Sequence, residues 1–302
     1  MKIWLYLLRK TCKRLFFSTL SVYGALWLVV QIITFPLGED FPLINNIKEY
    51  WYVLLILGFM TAIIITKPKF TFGGILNKRD VRIEVTIGDI FKQDGSFIIG
   101  SNTTFDTHIS KELISEKSIQ GQLTKMFYYG NEEQLNNDIS FKLQDIEPNI
   151  LNENRIGKNK KYPIGTIVKL SPKNKTIYMV AIANINEYGV AKSTYDDLKK
   201  ALANIWFFIS KKGFKENLVI PVLGTGFSRL SQTREEIIRE IIKSFIAACS
   251  ESIFCDKLTI VLSPVDVERY KIDIEELEKF LLHMCKYTSF QNNNNERIGQ
   301  EA

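Results

Sequence analysis

Residues Leu218–Leu230 read LVIPVLGTGFSRL, and the fold turns on how that stretch is parsed. Leu218–Leu223 is an apolar run of strand length, Gly224–Ser231 is a glycine-bearing loop, and Thr233 opens a helix. Thr233 and Glu236 have the Thr-x-x-Glu spacing of a capping box. Glycines at a strand end let backbone N–H groups approach an oxygen closely, and a helix start adds partial positive charge. The stretch therefore reads either as a phosphate cradle or as an ordinary strand-to-helix turn. A lone Gly-x-Gly does not decide between the two.

Working outward, apolar strands alternate with capped helices. Val81–Ile87 has period-two alternation, and Ser96–Ser101, Thr166–Leu170, Ile177–Ala183 and Lys257–Leu262 read as further strands. Helices are expected over Thr194–Lys212, Thr233–Cys249 and Ile274–Lys286, with another beginning near Ser118. Asn136–Lys160 is polar and reads as a surface loop or insertion. Alternation of this kind predicts an α/β domain of three layers around a central parallel or mixed sheet, spanning residues 81–287. Ligands of such sheets bind beyond the strand C-termini, which places Gly224–Ser228 at the ligand end. The tail 288–302 is polar, with four consecutive asparagines, and is expected to be disordered.

Residues 1–80 are different in kind. Leu15–Phe35 and Tyr50–Thr66 contain no charged residue, and the first is close to the ~20 residues a membrane helix needs. Residues 1–80 carry ten Lys/Arg and four Asp/Glu, while the rest of the chain carries 29 of each sign. The whole net charge of +6 thus lies beside the apolar runs. Basic residues flank their outer ends, and the connecting loop holds Glu39, Asp40 and Glu49 against Lys48. By the positive-inside rule this reads as a two-helix transmembrane hairpin with both termini cytoplasmic, joined to the domain by a linker, 67–80, and the expected location is the cell inner membrane. The charge-balanced domain lacks the footprint of a nucleic-acid binder. Four cysteines with no C-x-x-C pair, and two distant histidines, suggest neither a zinc site nor a disulfide framework.

A second signal lies upstream of the glycine loop. The first strand runs into Gly88-Asp89-Ile90 and the next into Gly100-Ser101-Asn102-Thr103. A carboxylate at one strand end can accept from an exocyclic amine, and an amide at its neighbour can pair with ribose hydroxyls.

With these residues the sequence resembles the macro domain family, whose hallmarks are a Gly-Asp-Ile after the first strand, an Asn-bearing strand end and a glycine-rich diphosphate loop. The resemblance implies an ADP-ribose-type ligand, with Asp89 on the adenine and Asn102 on the distal ribose, and with Ile90, Gly100, Ser101 and Thr103 as neighbouring ligand contacts. It implies the loop Gly224, Thr225, Gly226, Phe227 and Ser228 on the diphosphate, with Phe227 either covering the ribose or closing the loop onto the core, and Leu223 and Arg229 as further ligand contacts. Ser118, Gln120 and Gly121 fall where the family's first glycine-rich loop leads into a helix, and Asp266 would flank the adenine. Arg229 reads equally as a phosphate contact or a surface ion pair. The family's run of glycines after the Asn is replaced by Thr103-Thr104-Phe105-Asp106. No nucleophile–base pair is evident, since nothing in the spacing joins Ser228 to His108.

The whole arrangement is similar to the membrane-anchored effectors of type II Thoeris anti-phage systems. That resemblance implies a non-enzymatic effector with no cofactor, whose signal is made by a TIR-domain partner and is expected to carry histidine on ADP-ribose. It further implies homo-oligomerisation on binding, and disruption of the lipid bilayer. The alternatives are a membrane-tethered ADP-ribosyl hydrolase and a non-toxic module that recruits ADP-ribosylated partners.

Overall fold

The computed structural model describes residues 2–37, 50–66, 69–109, 113–151, 157–186, 190–212, 215–224 and 230–288. It divides into two units, Met1–Phe70 and Thr71–Ala302. The loop 38–49 and the tail from 289, expected to face outward and to be disordered, lie outside the described residues.

The first unit is a pair of helices, α1 (Lys2–Leu37) and α2 (Trp51–Thr66). Within α1, Leu15–Ile32 is long and apolar enough to cross a membrane, with mean hydropathy 1.7 and none of it buried. α2 is apolar throughout but has 16 residues. At 1.5 Å per residue it reaches about 24 Å, short of a hydrocarbon core of about 30 Å. One helix rather than two therefore meets the length of a span among the described residues. The helices meet at Gly58, where any side chain would run into the ring of Tyr23. The Tyr23 hydroxyl donates to the Leu55 carbonyl at 2.6 Å. Gly24, by contrast, faces open space. The hydroxyls of Thr19, Thr61 and Thr66 donate to carbonyls four residues back, which satisfies them without water.

The second unit is built on strands β1 (Thr71–Ile75), β2 (Arg82–Ile87), β3 (Ser96–Asn102), β4 (Asn149–Ile150), β5 (Lys160–Lys161), β6 (Ile167–Leu170), β7 (Ile177–Ile185), β8 (Ala191–Lys192), β9 (Leu218–Pro221) and β10 (Lys257–Leu262). Its helices are α3 (Ile119–Phe127), α4 (Glu132–Leu143), α5 (Tyr195–Lys212), α6 (Arg234–Glu251), α7 (Pro264–Tyr270) and α8 (Ile274–Tyr287). The main sheet runs β1-β2-β10-β9-β3-β7-β6, with β8 added to β7. The five strands from β2 to β7 are parallel, while β1, β6 and β8 pair antiparallel, so the sheet is mixed.

Alternation along the strands separates two cores. Phe97 and Ile99 of β3, with Ile177, Met179 and Ala181 of β7, bury against Leu123 of α3 and Leu135, Ile139 and Leu143 of α4. On the other face Tyr178 meets Phe208 of α5, and Trp206 of α5 packs edge-on to Phe245 of α6. Trp206 is fully buried, and its indole N–H donates to Ser244 at 3.0 Å. Helices on both faces of a sheet make the three layers.

Two stretches depart from the sequence reading. Thr71–Ile75 is strand β1 and not part of a linker. Its Gly73-Gly74 is required by close neighbours: a side chain at Gly73 would meet the Ile83 carbonyl, and one at Gly74 would press on Cys285 of α8. Asn136–Lys160 is not simply a loop, because α4 runs through to Leu143 and β4 pairs with β5. The polar sequence hid α4, whose buried stripe is only Leu135, Ile139 and Leu143.

Candidate ligand site

Parallel pairing fixes where the candidate residues lie. Leu262 of β10 is level with Ile87 of β2, and Val261 with Pro221 of β9. The chain leaves all three strands at one edge of the sheet, and β3 ends there too, at Asn102. Asp89, Asn102, Leu223 and Gly224 therefore belong to one sheet edge, with Asp266 in the first turn of α7 just after β10. Thr225, Gly226, Phe227, Ser228 and Arg229 lie outside the described residues.

Asp89 caps a short 3-10 turn, Ile90–Lys92. One carboxylate oxygen accepts from the Phe91 N–H at 3.0 Å, which fixes the rotamer of an otherwise exposed side chain. Ile90 is buried beneath it. An exposed carboxylate with one oxygen engaged by a backbone N–H keeps lone pairs with which to accept from an amine. Leu223 is buried, and Gly224 adopts φ +71, a left-handed conformation that favours glycine. The capping box is present: Thr233 accepts from the Glu236 N–H at 3.2 Å, and Glu236 accepts from the Thr233 N–H at 2.8 Å. The Thr233 and Glu236 N–H groups at the start of α6 are thus already used by its own side chains.

Asn102 follows a bulge between Ser101 and Asn102 that re-aims the strand end. Its Nδ2 donates to Asp106 Oδ2 at 2.9 Å, and its Oδ1 accepts from the Asp106 N–H at 3.1 Å. Thr104 Oγ1 lies 2.6 Å from Asp106 Oδ2 and 3.2 Å from Asn102 Oδ1. The buried Asp106 also accepts from the Lys158 N–H at 2.8 Å through Oδ1, and through its carbonyl from Gln120 Nε2 at 2.6 Å. Lys158 Nζ donates to the Phe105 carbonyl. Burial lowers the Lys158 ammonium to about 8, with Asp106 pulling it back up. Phe105 holds φ +48 with its ring buried against Tyr162. A non-glycine residue in this region costs about 1–2 kcal/mol. The surrounding bonds hold the loop there in place of the family's glycines.

The other candidates are mainly internal. Thr103 is buried, donating its N–H to Ala183 and accepting from Tyr162 N at its carbonyl and Ile185 N at its hydroxyl. Ser118 caps α3, accepting from the Gly121 N–H at 3.0 Å and donating to Ser115. Gly121 is glycine because a side chain would strike the Ser115 carbonyl. Gly100 lies under Ile182 and Leu223. Ser101 is buried with no hydrogen-bond partner for its hydroxyl among the described residues. Burial pushes the Asp266 carboxyl up, while Arg234 and Arg269 pull it down. Sequence reasoning missed Asp106, Thr104 and Lys158. An Asn-x-Thr-x-Asp run at a strand end signals the first two, whereas nothing in its polar surroundings marks Lys158.

The family model described as "Thoeris protein ThsA, Macro domain" matches residues 83–263, more than half of the chain. The chain belongs to this family. A relative within it is the Thoeris protein ThsA of Bacillus amyloliquefaciens (strain Y2), 24% identical over 187 residues, which make up 59% of this chain and 61% of the relative. The chain thus spans less than two thirds of that protein's length. Among solved structures, the Oceanobacillus iheyensis macrodomain with ADP is 14% identical, with 72% of this chain and 95% of that one covered and a TM-score of 0.47. The Trypanosoma brucei macrodomain in complex with ADP-ribose is 10% identical, with 66% and 67% covered and a TM-score of 0.41.

Proposed function

We propose that this chain is a membrane-anchored effector of Thoeris anti-phage defence whose macro domain binds an ADP-ribose-type dinucleotide. The observation that carries the reading is the placement of Asp89, Asn102 and Gly224 at one C-terminal sheet edge, in the chain of a Thoeris macro-domain family member. In this reading Asp89 accepts from the adenine amine, Asn102 meets the distal ribose, and the loop 224–229 holds the diphosphate. α1 spans the inner membrane, and α2 returns through a thinned bilayer so that both termini are cytoplasmic. A TIR-domain protein supplies the signal, histidine-bearing ADP-ribose. Binding favours an assembled state that breaches the bilayer, by an amount set by the ligand's differential affinity for the two states.

The test uses the full chain in liposomes loaded with a self-quenched dye. Histidine-bearing ADP-ribose is expected to release dye and to raise the melting temperature, and Asp89→Ala to abolish both. Leakage from Asp89→Ala liposomes that no longer bind the nucleotide would sink the gating mechanism. Steady release of ADP-ribose from a modified protein would favour a hydrolase instead.

A further inference from the structure

Only one side of α1 is used by its partner helix. Thr19, Val22, Tyr23, Leu26 and Val30 are half-buried, and Tyr23 and Leu26 lie against Gly58 of α2. At about 100° per residue, Phe17, Ser21, Gly24, Leu28, Gln31 and Phe35 fall on the opposite side, and all of them are exposed. Their spacing alternates four and three residues, as in a seam between two helices.

Gln31 is the polar member of that side, within an apolar run. Its amide has two donor protons and an acceptor oxygen, and among the described residues nothing bonds to it. The Ser21 hydroxyl is likewise unpaired among them, whereas Thr19, Thr61 and Thr66 donate within their own helices. Gln31 lies four residues, about 6 Å, inside the Phe35 end of the run. Helical side chains lean toward the N-terminus, which carries this amide deeper into the run and away from the nearer surface. In hydrocarbon, without water, such a group needs a partner.

Resting on the membrane reading above, we propose that this side of α1 docks onto the same side of α1 in a second copy of the chain, the two Gln31 amides bonding to each other. A two-fold axis along the membrane normal sets a residue of one helix against the same residue of its parallel partner. An amide both donates and accepts and so complements itself, which no lipid tail can do. Gly24, with nothing within 4 Å of where its side chain would begin, lets the two backbones approach. α2 stays on the outer side of the pair.

The experiment is oxidative cross-linking of the full chain in liposomes, with Cys12 changed to serine and one cysteine introduced on α1. Leu28→Cys lies on the proposed seam. Val29 is comparably exposed, 53% against 59%, but points about 100° away, so Val29→Cys is the control. With histidine-bearing ADP-ribose added, Leu28→Cys is expected to form disulfide-linked dimers at least threefold more than Val29→Cys, and a smaller ratio overturns the inference. Gln31→Leu makes the span more apolar and preserves insertion. It is expected to lower the Leu28→Cys yield about threefold, the average strength of a polar contact between membrane helices, while Gln31→Asn keeps most of it. An unchanged yield in Gln31→Leu means that lipid or water meets the amide, and also overturns the inference. Nucleotide binding is read separately from the melting temperature. Dimers that form equally without nucleotide leave the seam standing and sink the gating mechanism. Nucleotide that binds without producing dimers sinks the seam and leaves the ligand reading intact. Release of the chain from the liposomes by alkaline washing would remove the membrane reading and this inference with it.

Discussion

Replacing Asp106 by alanine is the sharpest test of how the ligand edge is held. Its carboxylate accepts from Asn102 Nδ2 at 2.9 Å, Thr104 Oγ1 at 2.6 Å and the Lys158 N–H at 2.8 Å, and the residue is fully buried. Alanine removes the carboxylate that three donors share, leaves the buried Thr104 hydroxyl only the longer contact to Asn102 Oδ1 at 3.2 Å, and removes the charge that partly offsets the half-buried Lys158 ammonium. A hydrogen bond to a charged group is worth about 1.5–3 kcal/mol. These contributions overlap, so the expected loss is about 4 kcal/mol rather than their sum. For a unit of this size that corresponds to a drop of roughly 8–16 °C in melting temperature. The assay is urea unfolding of the full chain in detergent, with Trp4, Trp27 and Trp51 changed to phenylalanine so that Trp206 reports the domain alone. Asp106→Asn keeps the shape and one acceptor oxygen, and is expected to lose about half as much. A loss below about 1 kcal/mol for Asp106→Ala would refute the argument that this carboxylate organises the loop.

Three further outcomes are expected. Gly224→Ala places a side chain at φ +71 and should cost about 1 kcal/mol, with weakened binding of ADP-ribose by titration. Gly58→Leu drives a side chain into the Tyr23 ring, so cross-linking between cysteines placed on α1 and α2 should fall sharply relative to wild type. Lys158, lowered to about 8 by burial, binds its proton less tightly when folded than when unfolded. Between about pH 8 and 10.5 the unfolded chain holds more protons at this group, so its contribution to stability rises with pH across that window. The burial cost is present in full below pH 8. The stability of wild type minus that of Lys158→Met should therefore increase with pH from 8 to 10, and a flat difference would argue against a buried ammonium.

The sequence made some of this legible and hid the rest for physical reasons. β9 and β10 are apolar runs buried on both faces, and no other element accommodates LVIP or KLTIVL so well. Thr233 and Glu236 announce α6 through local chemistry, which needs no tertiary partner. β1 was obscured because Gly73-Gly74 reads as a break, although those glycines answer to a carbonyl of β2 and a cysteine of α8 more than 200 residues away. Phe207 illustrates the converse: its apolar run with Trp206 and Phe208 suggests core, yet the helix turns it 64% exposed. At the site, the strand ends carrying Asp89 and Asn102 are visible as motifs. That Asn102 is tied back onto Asp106 depends on a bulge and on Lys158, which no local pattern encodes.

The antiparallel direction of β1 has a mechanical consequence. Thr71 pairs with Thr86, their hydroxyls 2.7 Å apart, so the polypeptide coming from α2 joins the domain three positions before Asp89 on the neighbouring strand. In the reading proposed above, a rearrangement at Asp89 would be felt three positions away at Thr86 and, through its pairing, at Thr71, where the chain enters the sheet. Lengthening that junction with a flexible insert after Phe70 would act as a slipping clutch, leaving recognition intact while the output is lost.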